Sequence, residues 1–211
     1  MDLAERLRRA RVVPVLTVAR AEDAVPLARA LVAGGLDTLE ITLRSEVALA
    51  AIRAVAEAVP EATVGAGTLT RPEDFAAVAA AGASFAVSPG FTPELAAAAR
   101  DYPALPYLPA VATASETMAA AAAGYGVLKF FPAVAAGGIE TLKALAGPFP
   151  EIRFCPTGGI DAGNAGAYLA LRNVAAVGGS WVAPADAVAA GDWARITALA
   201  RAAQAIGRGP A

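Results

Sequence analysis

Histidine is absent from the 211-residue chain, and cysteine occurs once, at Cys155. Without histidine, a Ser-His or Cys-His nucleophile pair cannot be assembled. Zinc sites built on imidazole are excluded as well, and no cysteine cluster replaces them. Acid/base chemistry near neutrality then falls to a carboxylate or to a lysine whose surroundings disfavour its charged form. A lone cysteine rules out an internal disulfide and fits a reducing compartment. Lysine is scarce too: two lysines stand against fifteen arginines. Charged residues make up only 17% of the chain and the net charge is −2, so there is no electrostatic footprint for nucleic acid or an anionic membrane. No apolar run spans a bilayer without a Gly, a Pro or a charge interrupting it. Residues 1–9 read as a charged helix without an apolar signal core, and a cytoplasmic location is expected.

What remains is a hydrophobic chain, 57% apolar, whose glycines and prolines are scattered at regular intervals instead of pooled in a linker. A single domain over residues 1–211 follows. Short β-branched runs alternate with longer Ala-rich runs every 20–25 residues or so, the rhythm of repeated βα units. Strands are expected near 12–17, 36–42, 63–66, 85–88, 106–111, 127–130, 153–156 and 175–178. Helices are expected near 21–33, 46–58, 72–81, 93–100, 115–123, 139–146, 162–171 and 193–206. Arg71-Pro72-Glu73-Asp74, Thr92-Pro93-Glu94 and Thr113-Ala114-Ser115-Glu116 carry helix-start chemistry. This pattern predicts a (β/α)8 TIM barrel with an extra N-terminal helix. An open doubly wound sheet is disfavoured, because the first strand is not followed by a dinucleotide-type glycine fingerprint.

One of the two lysines, Lys129, lies within the apolar run Val127-Leu128-Lys129-Phe130-Phe131-Pro132. Burial disfavours an ammonium, and a neutral amine attacks carbonyls, so Lys129 is a candidate Schiff-base former. The competing reading is a strand-end lysine whose head reaches solvent. In the second strand, alternation sets Thr38, Glu40 and Thr42 on one face and Leu39, Ile41 and Leu43 on the other. If the polar face points to a barrel axis, Glu40 meets Lys129, either as general acid/base or as a structural ion pair. Thr157-Gly158-Gly159 and Gly178-Gly179-Ser180 follow the seventh and eighth strands, where barrels commonly bind phosphate on backbone N–H groups. Arg44 and Thr68, at the tops of the second and third strands, together suit a small carboxylate, although Arg44 alone also fits a solvated surface. Cys155 reads as packed and inert, Trp181 and Trp193 as packing residues, and Lys143 as a solvent lysine.

These residues resemble a known family. Leu39-Glu40-Ile41-Thr42-Leu43-Arg44, Val64-Gly65-Ala66-Gly67-Thr68, Ser88-Pro89-Gly90, Lys129-Phe130-Phe131-Pro132-Ala133, Phe154-Cys155-Pro156-Thr157-Gly158-Gly159-Ile160 and Gly178-Gly179-Ser180-Trp181 resemble, in order, motifs of the class I 2-keto-3-deoxy-6-phosphogluconate (KDPG) and 4-hydroxy-2-oxoglutarate (KHG) aldolases. The resemblance implies cleavage of KDPG to pyruvate and D-glyceraldehyde 3-phosphate in the Entner–Doudoroff route, with KHG cleavage to pyruvate and glyoxylate as a second activity. It implies Lys129 as Schiff base and Glu40 as general acid/base. Arg44 and Thr68 would hold the pyruvyl carboxylate with Pro89 lining the pocket, Thr157 would touch the substrate hydroxyls, and Gly158, Gly159, Gly179 and Ser180 would cradle the phosphate. No cofactor or metal is implied, since a protonated imine is itself the electron sink. A homotrimer is implied. Residues 124–128 make a shorter turn than the family pattern, a matter of packing and not of chemistry. The galactonate-configured substrate stays open, as do a phosphosugar isomerase or epimerase without covalent chemistry and a barrel that only binds a phosphorylated sugar acid.

Overall fold

The computed structural model describes residues 3–206, so the first two and last five positions of the expected single domain lie outside the described residues. Helix α1 (Leu3–Ala10) leads into β1 (Val12–Leu16), and strands then alternate with helices along the chain. They run α2 (Ala21–Ala33), β2 (Thr38–Thr42), α3 (Ala48–Ala58), β3 (Thr63–Gly67), α4 (Glu73–Ala80), β4 (Ala86–Val87) and α5 (Pro93–Arg100). Next come β5 (Tyr107–Leu108), β6 (Ala110–Val111), α6 (Ala114–Ala122), β7 (Val127–Phe130) and α7 (Gly138–Ala146). The chain ends with β8 (Arg153–Pro156), α8 (Ala165–Leu169), β9 (Val177–Gly179), α9 (Ala185–Ala189) and α10 (Trp193–Ala205).

All strand pairs are parallel, in the orders β5-β4-β3-β2-β1-β9 and β6-β7-β8. The last strand returns beside the first, with Val12 opposite Val177 and Pro14 opposite Gly179. Isolated bridges from Phe154 to Val174 and from Thr157 to Gly178 tie the β8 side to the β9 side. The sheet is therefore curled, a TIM-like α/β arrangement with helices outside. Strands buried on both faces need apolar residues facing outwards as well as inwards, which accounts for Val-rich β1.

Curling divides the apolar residues into two cores. Leu39, Ile41, Val64, Phe130 and Phe154 pack outwards against the helices. Val13, Phe85, Val87, Leu108 and Cys155 pack inwards, together with Leu7 of α1. Leu7 is 1% exposed, so α1 contributes a core side chain and is not a solvated tail.

Several boundaries differ from expectation. The expected fifth strand is split into β5 and β6 by Pro109, which has no N–H for the ladder, although its carbonyl still accepts from Lys129 N at 2.9 Å. The fourth strand shrinks to Ala86–Val87. Helix α8 starts later than 162, because Asp161 Oδ1 accepts from the N–H groups of Gly163 and Asn164 in a local turn that competes with helix. The short helix α9 was not anticipated from the sequence. Thr92 caps α5 by accepting from Leu95 N, and Thr113 with Glu116 forms a complete capping box on α6. At α4 the expected helix-start chemistry takes another form: Asp74 accepts from the N–H groups of Thr70 and Arg71.

Candidate active site

Parallel register aligns the inward side chains. Glu40 on β2 lies opposite Val15 on β1 and Gly65 on β3, while Lys129 on β7 lies opposite Ala110 on β6 and Cys155 on β8. Across the interior, Lys129 Nζ donates to Glu40 Oε1 at 3.0 Å and Oε2 at 3.3 Å. Each of the two side chains is only 5% exposed. Charges so thoroughly removed from water persist only as a close pair, so the two groups hold each other in place. The carboxylate also needs room beside β3. A Cβ on Gly67 would fall 2.2 Å from Glu40 Oε1, so any side chain there would displace the carboxylate from this position.

Beside Lys129, at the paired position of β8, is the buried Cys155 thiol. Burial pushes it up from 9.0 to about 12, against a smaller opposite pull from Lys129. It is a packed, unreactive thiol, as the sequence reading held. The Phe131 ring centroid stands 5.6 Å from Lys129 Nζ.

A cavity of about 470 Å³ opens at the C-terminal ends of β1, β2, β8 and β9. Its lining includes Arg44, Thr157, Gly158, Gly159, Gly179 and Ser180, six of the residues singled out from the sequence. Phe131, whose ring stands 5.6 Å from Lys129 Nζ, and Val15, the register partner of Glu40, also line it, so the cavity borders the Lys129–Glu40 pair, which does not itself line it. Arg44 Nε donates to Thr68 Oγ1 at 3.3 Å. Thr68 adopts φ +67°, a left-handed conformation that costs a β-branched residue on the order of 1–3 kcal/mol. Gly158 and Gly159 also have positive φ, 100° and 78°, a conformation that favours glycine, so at these two positions the cavity wall is backbone. Thr157 is 6% exposed and its Oγ1 donates to Cys155 O at 3.3 Å.

Not every expected residue converges. Pro89 is exposed and lies outside the cavity lining, as does Thr68. Three residues not singled out from the sequence, Thr17, Arg20 and Asp23, line the cavity beyond β1. Their position just past a barrel strand is the signal that could have found them. Arg20 pairs with Glu22 at 2.9 Å and with Asp23 at 3.6 Å. Trp181 and Trp193 pack partly buried against the outer core. Lys143 is exposed and pairs with Glu140. Among the described residues no three His, Cys, Asp or Glu side chains cluster closely enough to hold a metal, and no helix is long and apolar enough to cross a membrane.

Residues 3–199 match the family model "KDPG and KHG aldolase". The chain belongs to this aldolase family. A 2-dehydro-3-deoxy-phosphogluconate aldolase of Dickeya dadantii is 55% identical over 194 residues, 92% of this chain and 91% of the relative. The KHG/KDPG aldolase of Escherichia coli K12 is 55% identical over 190 residues, 90% of this chain and 89% of the relative. Among solved structures, a KDPG aldolase from Legionella pneumophila, with pyruvate captured at low pH as a covalent carbinolamine intermediate, superimposes with a TM-score of 0.93 at 46% identity. That alignment covers 96% of this chain and 98% of the Legionella aldolase.

Proposed function

We propose that this member of the aldolase family is a class I enzyme that cleaves KDPG to pyruvate and D-glyceraldehyde 3-phosphate. KHG, giving pyruvate and glyoxylate, is its second substrate. The observation that carries the reading is a buried lysine held 3.0 Å from a buried carboxylate beside a cavity lined by an arginine and a glycine-rich loop. Membership of the family and the covalent pyruvate adduct of the Legionella relative support the same chemistry.

The cycle follows from the geometry. Glu40 takes a proton from Lys129, and the freed amine attacks the C2 carbonyl carbon to give a carbinolamine. The proton returned from Glu40 leaves with the C2 hydroxyl as water, and a protonated imine remains. That iminium draws electrons, so the C3–C4 bond breaks towards nitrogen as Glu40 removes the C4 hydroxyl proton. Glyceraldehyde 3-phosphate departs and leaves an enamine. Glu40 returns its proton to C3, and water hydrolyses the imine to pyruvate and free lysine. The iminium nitrogen serves as electron sink throughout, so the cycle calls for no metal ion.

Arg44, positioned by Thr68, binds the C1 carboxylate; a guanidinium fork matches that group geometrically. Thr157 contacts the substrate hydroxyls, and Gly158, Gly159, Gly179 and Ser180 cradle the phosphate. The curled sheet is read as a complete (β/α)8 barrel, with β5 and β6 counted as one strand and α1 as an extra N-terminal helix. The return of β9 to β1 supports this count. The enzyme is further read as cytoplasmic and homotrimeric; light scattering on the eluting peak should give three times the mass of one chain, and the mass of a single chain would refute the trimer.

The test of the chemistry is trapping. Pyruvate and borohydride should leave a reduced pyruvyl group on the peptide containing Lys129, and Lys129→Ala should lose both the adduct and about three orders of magnitude or more in kcat. A folded protein that gives no adduct overturns the class I, Schiff-base reading and leaves Lys129 as half of an ion pair.

A further inference from the structure

Thr42 is fully buried on the inward face of β2, two residues beyond Glu40. Its Oγ1 donates to Leu16 O at 3.0 Å and lies 3.0 Å from Thr17 Oγ1. A carbonyl can only accept, and a threonine hydroxyl carries one proton. Thr42 has spent its proton on Leu16, so in the second contact Thr17 must be the donor and Thr42 the acceptor. Thr17 is exposed and lines the cavity. What its oxygen then presents to a bound molecule is lone pairs alone.

An acceptor-only oxygen selects among the groups of a phosphorylated keto acid. It repels carboxylate and phosphate oxygens and attracts a hydroxyl proton. Strand β1 lies between β2, which carries Glu40, and β9, which carries Gly179. Thr17, just past the end of β1, is thus on the strand next to both Glu40's strand and Gly179's, and it lines the same cavity as Gly179 and Ser180. Resting on that reading of the site, we propose that Thr17 is a specificity residue that accepts a hydrogen bond from the C5 hydroxyl of the bound sugar acid. KHG carries a carboxylate carbon at C5 and has no such hydroxyl, so Thr17 favours the phosphorylated six-carbon substrate over the shorter one. A site that hydrogen-bonds a hydroxyl discriminates against molecules lacking it.

Thr17→Val keeps the shape and leaves the Thr42–Leu16 hydrogen bond intact. The experiment measures kcat/KM for KDPG and for KHG in the wild type, Thr17→Val and Thr17→Ser. Valine should lower the KDPG value roughly tenfold without lowering the KHG value, which rises if the lone pairs of Thr17 repel the C5 carboxylate, and serine should restore the wild-type ratio. An unchanged ratio of the two values in Thr17→Val, whether both stay constant or both fall together, overturns the proposal. Failure of the underlying aldolase reading looks different: the wild type itself then yields no pyruvyl adduct on Lys129 and cleaves neither substrate, and the role of Thr17 falls with it.

Discussion

Lys129 and Glu40 are both almost completely withdrawn from solvent, and their side chains meet at 3.0 Å. Two desolvated charges gain from each other about what they lost to water, so the pair adds little net stability while each member depends on the other. Lys129→Met, which strands the carboxylate, should cost about 3–5 kcal/mol in urea unfolding. The double variant Glu40→Leu/Lys129→Met should recover most of that loss and be inactive. A double variant no more stable than the single one would make the pair a net source of stability, against the view that it is kept for chemistry. Lys129 has Cys155 as its register partner on β8 and the Phe131 ring 5.6 Å from its Nζ, so apolar groups border the pair.

At the scale of elements, the site depends on how closely β2 and β3 approach. Thr42 is in register with Gly67, and Leu43 N continues the ladder by donating to Gly67 O at 2.8 Å. With the backbone fixed by these bonds, the missing Cβ at Gly67 is the space that the Glu40 carboxylate occupies. Gly67→Ala should displace the carboxylate, with a loss of about 1–3 kcal/mol in stability and a much larger relative loss in kcat. Wild-type kcat in a folded Gly67→Ala protein would show that Glu40 needs no fixed position. The alternation of β2 made this face legible in the sequence, because inward and outward positions differ in polarity. The break between β5 and β6 was legible only in part: Pro109 marks a missing donor, yet a proline can also lie at a strand end. Helix α9 gave no comparable signal, for five Ala-rich residues fit a loop as well as a helix.

For the molecule as a whole, two buried acids stand out at high pH, with Tyr125 and Tyr168 pushed the same way by burial. Burial raises Cys155 from 9.0 to about 12 and Tyr107 from 10.0 to about 12, the latter despite its hydrogen bond with Ser88. In the unfolded chain both ionise earlier, so between pH 9 and 12 the folded state holds more protons than the unfolded one. Stability from these groups is complete below about pH 9 and is lost as pH rises towards 12, at up to about 1.4 kcal/mol per pH unit for each group. Urea unfolding at pH 8, 10 and 11 should show this decline, with Cys155→Val and Tyr107→Phe each flattening it. A stability independent of pH across that span would mean that neither group is held neutral by the fold.

The sequence by itself determined the chemical inventory. With no histidine and a lysine inside an apolar run, it left few routes to covalent catalysis, and the order of its motifs identified the family. It also determined the βα rhythm, because apolar periodicity is local and survives without tertiary context. Strand alternation already pointed to Glu40 as the partner of Lys129, but the two lie 89 positions apart, and only the curl of the sheet brings them to 3.0 Å. It alone placed Pro89 outside the cavity and brought Thr17 to its wall. Proximity across a curled sheet depends on strand register and on what each neighbouring strand leaves empty, and neither is written in any one segment.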